Sequence, residues 1–292
     1  MGLETVRTTM EPEIATPDTS PPLSRPLVDR YLRLLGLTRS APSLPALHEL
    51  VTAHLYRVPF ENISKLYHRH RRKLTTLPDI ALYLDGMERY HFGGTCYANN
   101  SHFCELLASL GYAARLCGAD MSAPDVHAAI MVRLEGREYL VDAGYGAPFW
   151  EPMPRDLTTD FEITLDRERY VLKPEDADGS SRVEQYNDGV LRHTYRAKPA
   201  AKTIADLASV IADSFRPDAT FLNAVVAARF SPAHSVVIRN LKLTETRAGE
   251  SVEQTLKNRD DLVTEIATHF SIPQEITREA LDGLGGFKDI FA

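Results

Sequence analysis

The hydrophobic period of this chain changes near residue 112, and that change restricts the fold more than any other feature. Before it, apolar residues recur at helical spacing: Leu27, Tyr31, Leu34 and Leu35 share one face ahead of Gly36, and Leu47, Leu50, Val51 and His54 share another ahead of Pro59. A third helix is predicted from Cys96 to Leu110, with Phe103, Leu106, Leu107 and Leu110 as its buried stripe and Gly111 as its stop. Beyond it the runs shorten, and 113–120, 127–134, 138–143, 161–165, 169–173, 181–186 and 190–195 read as strands with turn signals between them. Many short strands suggest a small barrel or a sandwich. A helix at 203–215 follows, then strands at 221–230, 234–245 and 251–257, and a last helix capped by Asn258 that carries Leu262, Ile266 and Phe270. Helices, then strands, then a mixed end make an α+β chain of segregated layers, not a doubly wound sheet.

The length fits such a division. At 292 residues a single core grows inefficiently, and 43% hydrophobic content supplies ample interior. The reading places a helical domain at 25–112, a strand-rich domain at 113–200 and an α/β domain at 201–292. Residues 1–24, with four prolines, many Thr and Ser and no apolar period, are predicted to be a disordered tail. GLGGF at 283–287 is read as a flexible end, and YHRHRRK at 67–73 as a basic loop, solvated unless it meets a phosphate.

Charge and cysteine content exclude several functions. With 33 Lys+Arg against 40 Asp+Glu the net charge is −7, which argues against a nucleic-acid binder dependent on phosphate neutralisation. One local basic site for a phosphorylated ligand remains compatible. Three cysteines cannot pair completely and show no CxxC spacing, so neither a disulfide framework nor a zinc knuckle is readable. No run of about 18 apolar residues and no signal-peptide order is present, so a cytoplasmic location is expected. The ten histidines form no HExxH, His68 and His70 lack companion ligands, and no metal site is predicted.

One cysteine stands apart. Cys96 follows a Gly-Gly loop and opens a helix, where free N–H groups and the positive end of the helix dipole favour a thiolate. Cys104 and Cys117 lie within apolar periodic segments and read as packing. The hairpin VHAAIMVRLEGREYLVDAGYG supplies the partners. With Glu135 and Gly136 as a two-residue turn, Leu134 faces Arg137, Arg133 faces Glu138, Val132 faces Tyr139 and Ile130 faces Val141. Moving the turn one residue later sets Glu135 against Glu138 and is worse. In the better register His127 and Asp142 are diagonal neighbours on one face, close enough for a carboxylate to orient an imidazole that serves Cys96.

These residues resemble the arylamine N-acetyltransferases. That family is marked by a PFEN segment, an RGGxC(F/Y)ExN nucleophile loop, a histidine opening a strand and a VDVGFG strand end. Here the counterparts are PFEN at 59–62, FGGTCYANN at 92–100, VHAAIMVRL from Val126 and VDAGYG at 141–146, and the likeness extends over about residues 27–272. The resemblance implies a helical domain with a cysteine-protease-like core, a β-barrel domain and an α/β lid. It implies acetyl transfer from acetyl-CoA, a co-substrate not tightly bound, through a cysteine thioester to an arylamine or hydrazine. By motif Cys96 becomes the nucleophile, His127 the base and Asp142 the orienting residue. Phe60 and Phe221 match substrate-pocket positions, and Gly144 and Tyr145 match the cofactor channel. Two departures stand out: Phe92 replaces the family's arginine and Ala98 its glutamate, so the charged pair beside the cysteine is gone without leaving half of itself behind. Val126 replaces the usual threonine before the histidine. A different acyl donor or a specialised acceptor becomes plausible, including an amide synthase that takes its acyl chain from a carrier protein. A transglutaminase-like or papain-like thiol hydrolase and an inactive binding scaffold are the remaining alternatives.

Overall fold

The computed structural model describes residues 22–232 and 234–288. The predicted tail at 1–24 therefore lies, as far as residue 21, outside the described residues. Helices α1 (Arg25–Leu34), α2 (Leu44–Arg57), α3 (Ile63–Arg72), α4 (Ile80–Tyr90) and α5 (Cys96–Ser109) form the first layer, with the two-residue strand β1 (Phe60–Glu61) between α2 and α3. Prolines in the first turns of α1 and α2 fit there, where their missing N–H is not needed, and the Ser43 and Asp79 side chains cap α2 and α4. Val28, Tyr31, Leu32, Leu47, Leu50 and Phe103 interlock in the core beneath them.

The expected basic loop at 67–73 is instead the second half of α3. Ile63, Leu66, Tyr67 and His68 bury one face, while Arg69, Arg71, Arg72 and Lys73 cluster at the C-terminal end, where cations complement the helix dipole. The polar run masked the period because its apolar half lies upstream. Helix α4 was missing from the sequence reading altogether.

From β2 onward the chain builds an eight-stranded antiparallel sheet in the order β5-β4-β3-β2-β9-β8-β7-β6. Its members are β2 (Ala113–Asp120), β3 (His127–Leu134), β4 (Arg137–Val141), β5 (Met153–Pro154), β6 (Phe161–Leu165), β7 (Glu168–Leu172), β8 (Ser181–Asn187) and β9 (Val190–Ala201). Of the two options left by the sequence it is the barrel-like one, since all eight strands share one sheet. The β3–β4 register pairs Ile130 with Val141, Val132 with Tyr139 and Leu134 with Arg137, as the side-chain chemistry requires. Glu135 and Gly136, with φ of 51° and 80°, make the tight turn that two-residue hairpins favour. Strand β3 is buried on both faces. Ala128, Ile130 and Val132 join the helical core, whereas Ala129 and Met131 join the sheet interior with Leu140, Tyr170 and Tyr195.

The last third differs in detail from the sequence reading. The helix expected at 203–215 contracts to α6 (Ala208–Asp213), and the strand expected from residue 221 starts with a 3₁₀ turn at Thr220–Leu222 before β10 (Val226–Ser231). The segment 234–245 is no single strand but the hairpin β11 (His234–Arg239) and β12 (Lys242–Arg247), turning at Asn240, whose φ is 55°. Strand β13 (Glu250–Thr255) completes a sheet ordered β1-β10-β11-β12-β13, so the PFEN segment is its edge strand. Asn258 does cap α7 (Arg259–Phe270), accepting from the N–H groups of Asp260 and Asp261, but α8 (Gln274–Asp282) follows and packs on α3. The GLGGF segment is anchored: Leu284 is buried, and Arg259 donates to the carbonyls of Leu284 and Gly285 at 2.7 and 2.9 Å. Among the described residues no helix is long and apolar enough to cross a membrane.

Candidate active site

Cys96 is the first residue of α5, buried where the helical layer meets β3. The loop before it cannot carry side chains. A Cβ on Gly93 would lie 1.9 Å from the Pro59 carbonyl oxygen, and Glu61 N–H donates to the Gly94 carbonyl at 3.0 Å. From the other side, the VDAGYG turn lies so near that a Cβ on Gly144 would come within 2.7 Å of the Cys96 Cα. The helix N-terminus is thus clamped between the PFEN strand and the end of β4.

His127 Nε2 and Asp142 Oδ2 are 2.7 Å apart, and both side chains are almost fully buried, at 3% and 2% exposure. With Nε2 engaged, Nδ1 is the nitrogen left to face Cys96, which favours the charged form of the ring. Burial works against a charged imidazolium, but the Asp142 charge and hydrogen bond, aided by the Cys96 sulfur, outweigh it and push the His127 pKa up to about 10. An aromatic wall backs the ring: Tyr195 at 4.8 Å and Tyr145 edge-on at 5.6 Å between centroids.

Asn100, one helical turn after Cys96, is the positioning residue that sequence reasoning passed over. Its amide donates to Asp142 Oδ1 at 2.9 Å and to the Ala128 carbonyl at 2.6 Å, and its oxygen accepts from the Ala143 N–H at 2.8 Å. The Gly144 N–H also donates to Asp142 Oδ1, at 3.0 Å. Asp142 is therefore held on both oxygens. The signal was available in the i to i+4 spacing of Cys96 and Asn100, which puts both on one helix face.

The other named residues flank this centre. Phe60 and Phe221 meet edge to face at 6.0 Å, and the Phe60 ring covers Gly146. Tyr145 stacks on Phe149 at 5.7 Å.

The two departures from the motif fill different roles. Phe92 is buried among Tyr67, His68 and Tyr90, with centroids at 5.7, 5.8 and 5.3 Å. Ala98 instead leaves room. It lines a cavity of about 30 Å³ with Lys65, His68, Thr95, Ser214 and Phe215. A different acidic group lies close by, Glu61 of the PFEN segment. Its carboxyl is fully buried and accepts from the N–H groups of Ser64 at 2.8 Å and Gly93 at 3.0 Å, with no cation in ion-pair range among the described residues. Burial raises its pKa, and the N–H donors offset only part of that rise.

A family model for N-acetyltransferases matches residues 43–278. The chain belongs to the N-acetyltransferase family. Among curated relatives, the pineal gland arylamine N-acetyltransferase isozyme NAT-3 of Gallus gallus is 35% identical over 128 residues, covering 40% of this chain and 42% of that protein. N-malonyltransferase FDB2 of Gibberella moniliformis is 34% identical over 121 residues, 36% of this chain and 34% of that protein. These alignments span less than half the length of each relative. Solved structures extend the likeness in fold: the arylamine N-acetyltransferase of Mycobacterium abscessus superposes with a TM-score of 0.74 at 19% identity, over 88% of this chain and 94% of that one. The Mycobacterium marinum enzyme, solved in complex with CoA, gives 0.74 at 21% identity over 88% and 99%. The α+β class with a helical layer, a barrel-like sheet and an α/β end is the fold of these N-acetyltransferases.

Proposed function

We propose that this N-acetyltransferase family member moves an acyl group from a CoA thioester to an aromatic amine or hydrazine through an acyl-Cys96 intermediate. The observation that carries this reading is the buried constellation of Cys96, His127 and Asp142 at the head of α5. His127 in its protonated form sustains a Cys96 thiolate. The thiolate attacks the thioester carbonyl, an S–acyl bond forms, and the CoA sulfur leaves, taking up the His127 proton. First-turn N–H groups of α5 stabilise the oxyanion. In the second half the amine nitrogen bonds to the acyl carbon, the C–S bond breaks, and His127 takes the amine proton and again sustains the thiolate. Asp142, held by Asn100 and Gly144, keeps the imidazole aimed. Phe60 and Phe221 suit an aryl ring, whereas Gly144 and Tyr145 border the approach of the thioester. The chemistry needs a reduced cysteine, which suits the cytoplasm.

Intact-mass measurement after incubation with acetyl-CoA should show one acetyl group on Cys96, discharged by an arylamine and absent in Cys96→Ala. No adduct with any CoA thioester would defeat the proposal. Acyl groups other than acetyl enter as a second reading, because a relative is an N-malonyltransferase and Ala98 opens a cavity beside the nucleophile. Nothing in the site or in the names of these relatives supports an acyl carrier protein as donor.

A further inference from the structure

The cavity beneath Ala98 holds a cation without a carboxylate. Lys65 Nζ donates to Ser214 Oγ at 2.8 Å and sits 4.1 Å from the centre of the Phe215 ring, and no acidic side chain comes within ion-pair range of it among the described residues. Ser214 Oγ in turn donates to the Ile211 carbonyl at 2.6 Å, so its hydrogen is committed. One turn along α3, His68 faces the same cavity, buried, with its Nδ1 making no protein hydrogen bond. Two polar groups that ordinarily require partners thus converge on a space with apolar and hydroxyl walls.

Among the described residues, the anionic influence on Lys65 comes from Cys96. Burial lowers the Lys65 pKa to about 8, the Cys96 sulfur opposing it and Arg69 adding to it. Acylation of Cys96 removes the negative charge from the sulfur. In the intermediate that support is gone, and the Lys65 ammonium is favoured only where the acyl group brings an anion of its own.

Size narrows the ligand. About 30 Å³ admits a group of a few atoms but no aromatic ring. Ala98 is one of its walls, and its small side chain leaves the space open.

We propose that this cavity is a carboxylate subsite in which Lys65, assisted by His68, reads a carboxylate carried by the substrate. The inference rests on the acyl-transfer reading for its placement beside a thioester-forming cysteine. Loss of the sulfur charge on acylation favours the donor as the source, a dicarboxylic acyl group of the malonyl type. An amine acceptor bearing an acid, such as an aminobenzoate, offers the same chemistry from the other side.

Calorimetric binding in the Cys96→Ala background, where no turnover occurs, separates these sources. Malonyl-CoA is compared with acetyl-CoA, and 4-aminobenzoate with aniline, for the parent protein and for Lys65→Met, Lys65→Arg and Ala98→Glu. The expected result is a preference of about tenfold for malonyl-CoA over acetyl-CoA. It should collapse toward one in Lys65→Met, persist in Lys65→Arg, and collapse in Ala98→Glu, where the new side chain supplies the carboxylate internally. The same pattern for 4-aminobenzoate over aniline would keep the subsite and assign it to the acceptor. Equal binding of charged and neutral partners by the parent, or a preference that survives both Lys65→Met and Ala98→Glu, overturns the proposal. Because the readout is binding, failure of Cys96 to become acylated would sink the acyl-transfer reading and leave the Lys65 result standing on its own.

Discussion

The two sides of the α5 N-terminus solve opposite electrostatic problems. On one, His127, Asp142 and Asn100 form a closed network in which every buried charge has a partner. On the other, among the described residues, Lys65 lacks a carboxylate and His68 has a nitrogen without a protein partner, while Glu61 is met by N–H donors and no cation. A satisfied network holds one geometry, as a fixed catalytic constellation needs. An unsatisfied one is poised for a ligand, as a specificity site needs. Under the proposed function, chemistry falls on the β3 side of the helix and selection on the α3 side.

The sharpest way to break that division is Asp142→Asn, which preserves shape but loses the charge that holds His127 protonated. Acylation of Cys96 should slow on the order of 10³-fold or more in a single-turnover assay, and a loss under tenfold would remove Asp142 from the network. On the opposite side, Phe92→Ala opens a gap among three aromatic rings and should cost about 3–5 kcal/mol in urea unfolding. Activity per folded molecule should change far less than in Asp142→Asn.

The two histidines offer a third test, since they are shifted in opposite directions. His127 has a folded-state pKa of about 10, above its ordinary 6.5, so its stabilising contribution is complete below about pH 6.5 and fades as pH rises toward 10. For His68, burial and then Arg72 lower the pKa to about 4, so the folded state resists its protonation and stability falls as pH drops from 6.5 toward 4. Unfolding free energy measured against pH should decline on both flanks. His127→Gln should flatten the alkaline flank, and His68→Gln should shrink the acid flank, leaving the part that comes from His54, lowered to about 3 by burial. The smallest effect is expected far from both sides: Glu135→Asn, at a turn position with φ of 51°, should stabilise by about 0.5 kcal/mol and leave acylation unchanged.

Much of the β3 side was legible in the chain, because its geometry is local. A two-residue turn fixes the β3–β4 register, register fixes which residues share a face, and His127 and Asp142 follow within one hairpin. The limits of α5 were equally readable from Cys96 and Gly111. The α3 side was not. Its basic run read as loop because the apolar residues Ile63 and Leu66 precede it and, with Tyr67 at its start, bury against α8, more than two hundred residues later. The hairpin at 234–247 was hidden for a different reason: Asn240 turns the chain inside an otherwise strand-like run, with no glycine or proline to mark it.

The sequence by itself determined the order of layers, the hairpin register and the cysteine that opens a helix, since periodicity and turn stereochemistry act over a few residues. Tertiary structure alone decided that Phe60 and Glu61 would become the edge of a sheet built from residues 226–255, and that Lys65 would meet Ser214 and Phe215. Those contacts join segments about 150 residues apart, and no local propensity encodes them. They arise from burying three layers against one another, a process that sets which polar groups find partners and which are left facing a cavity.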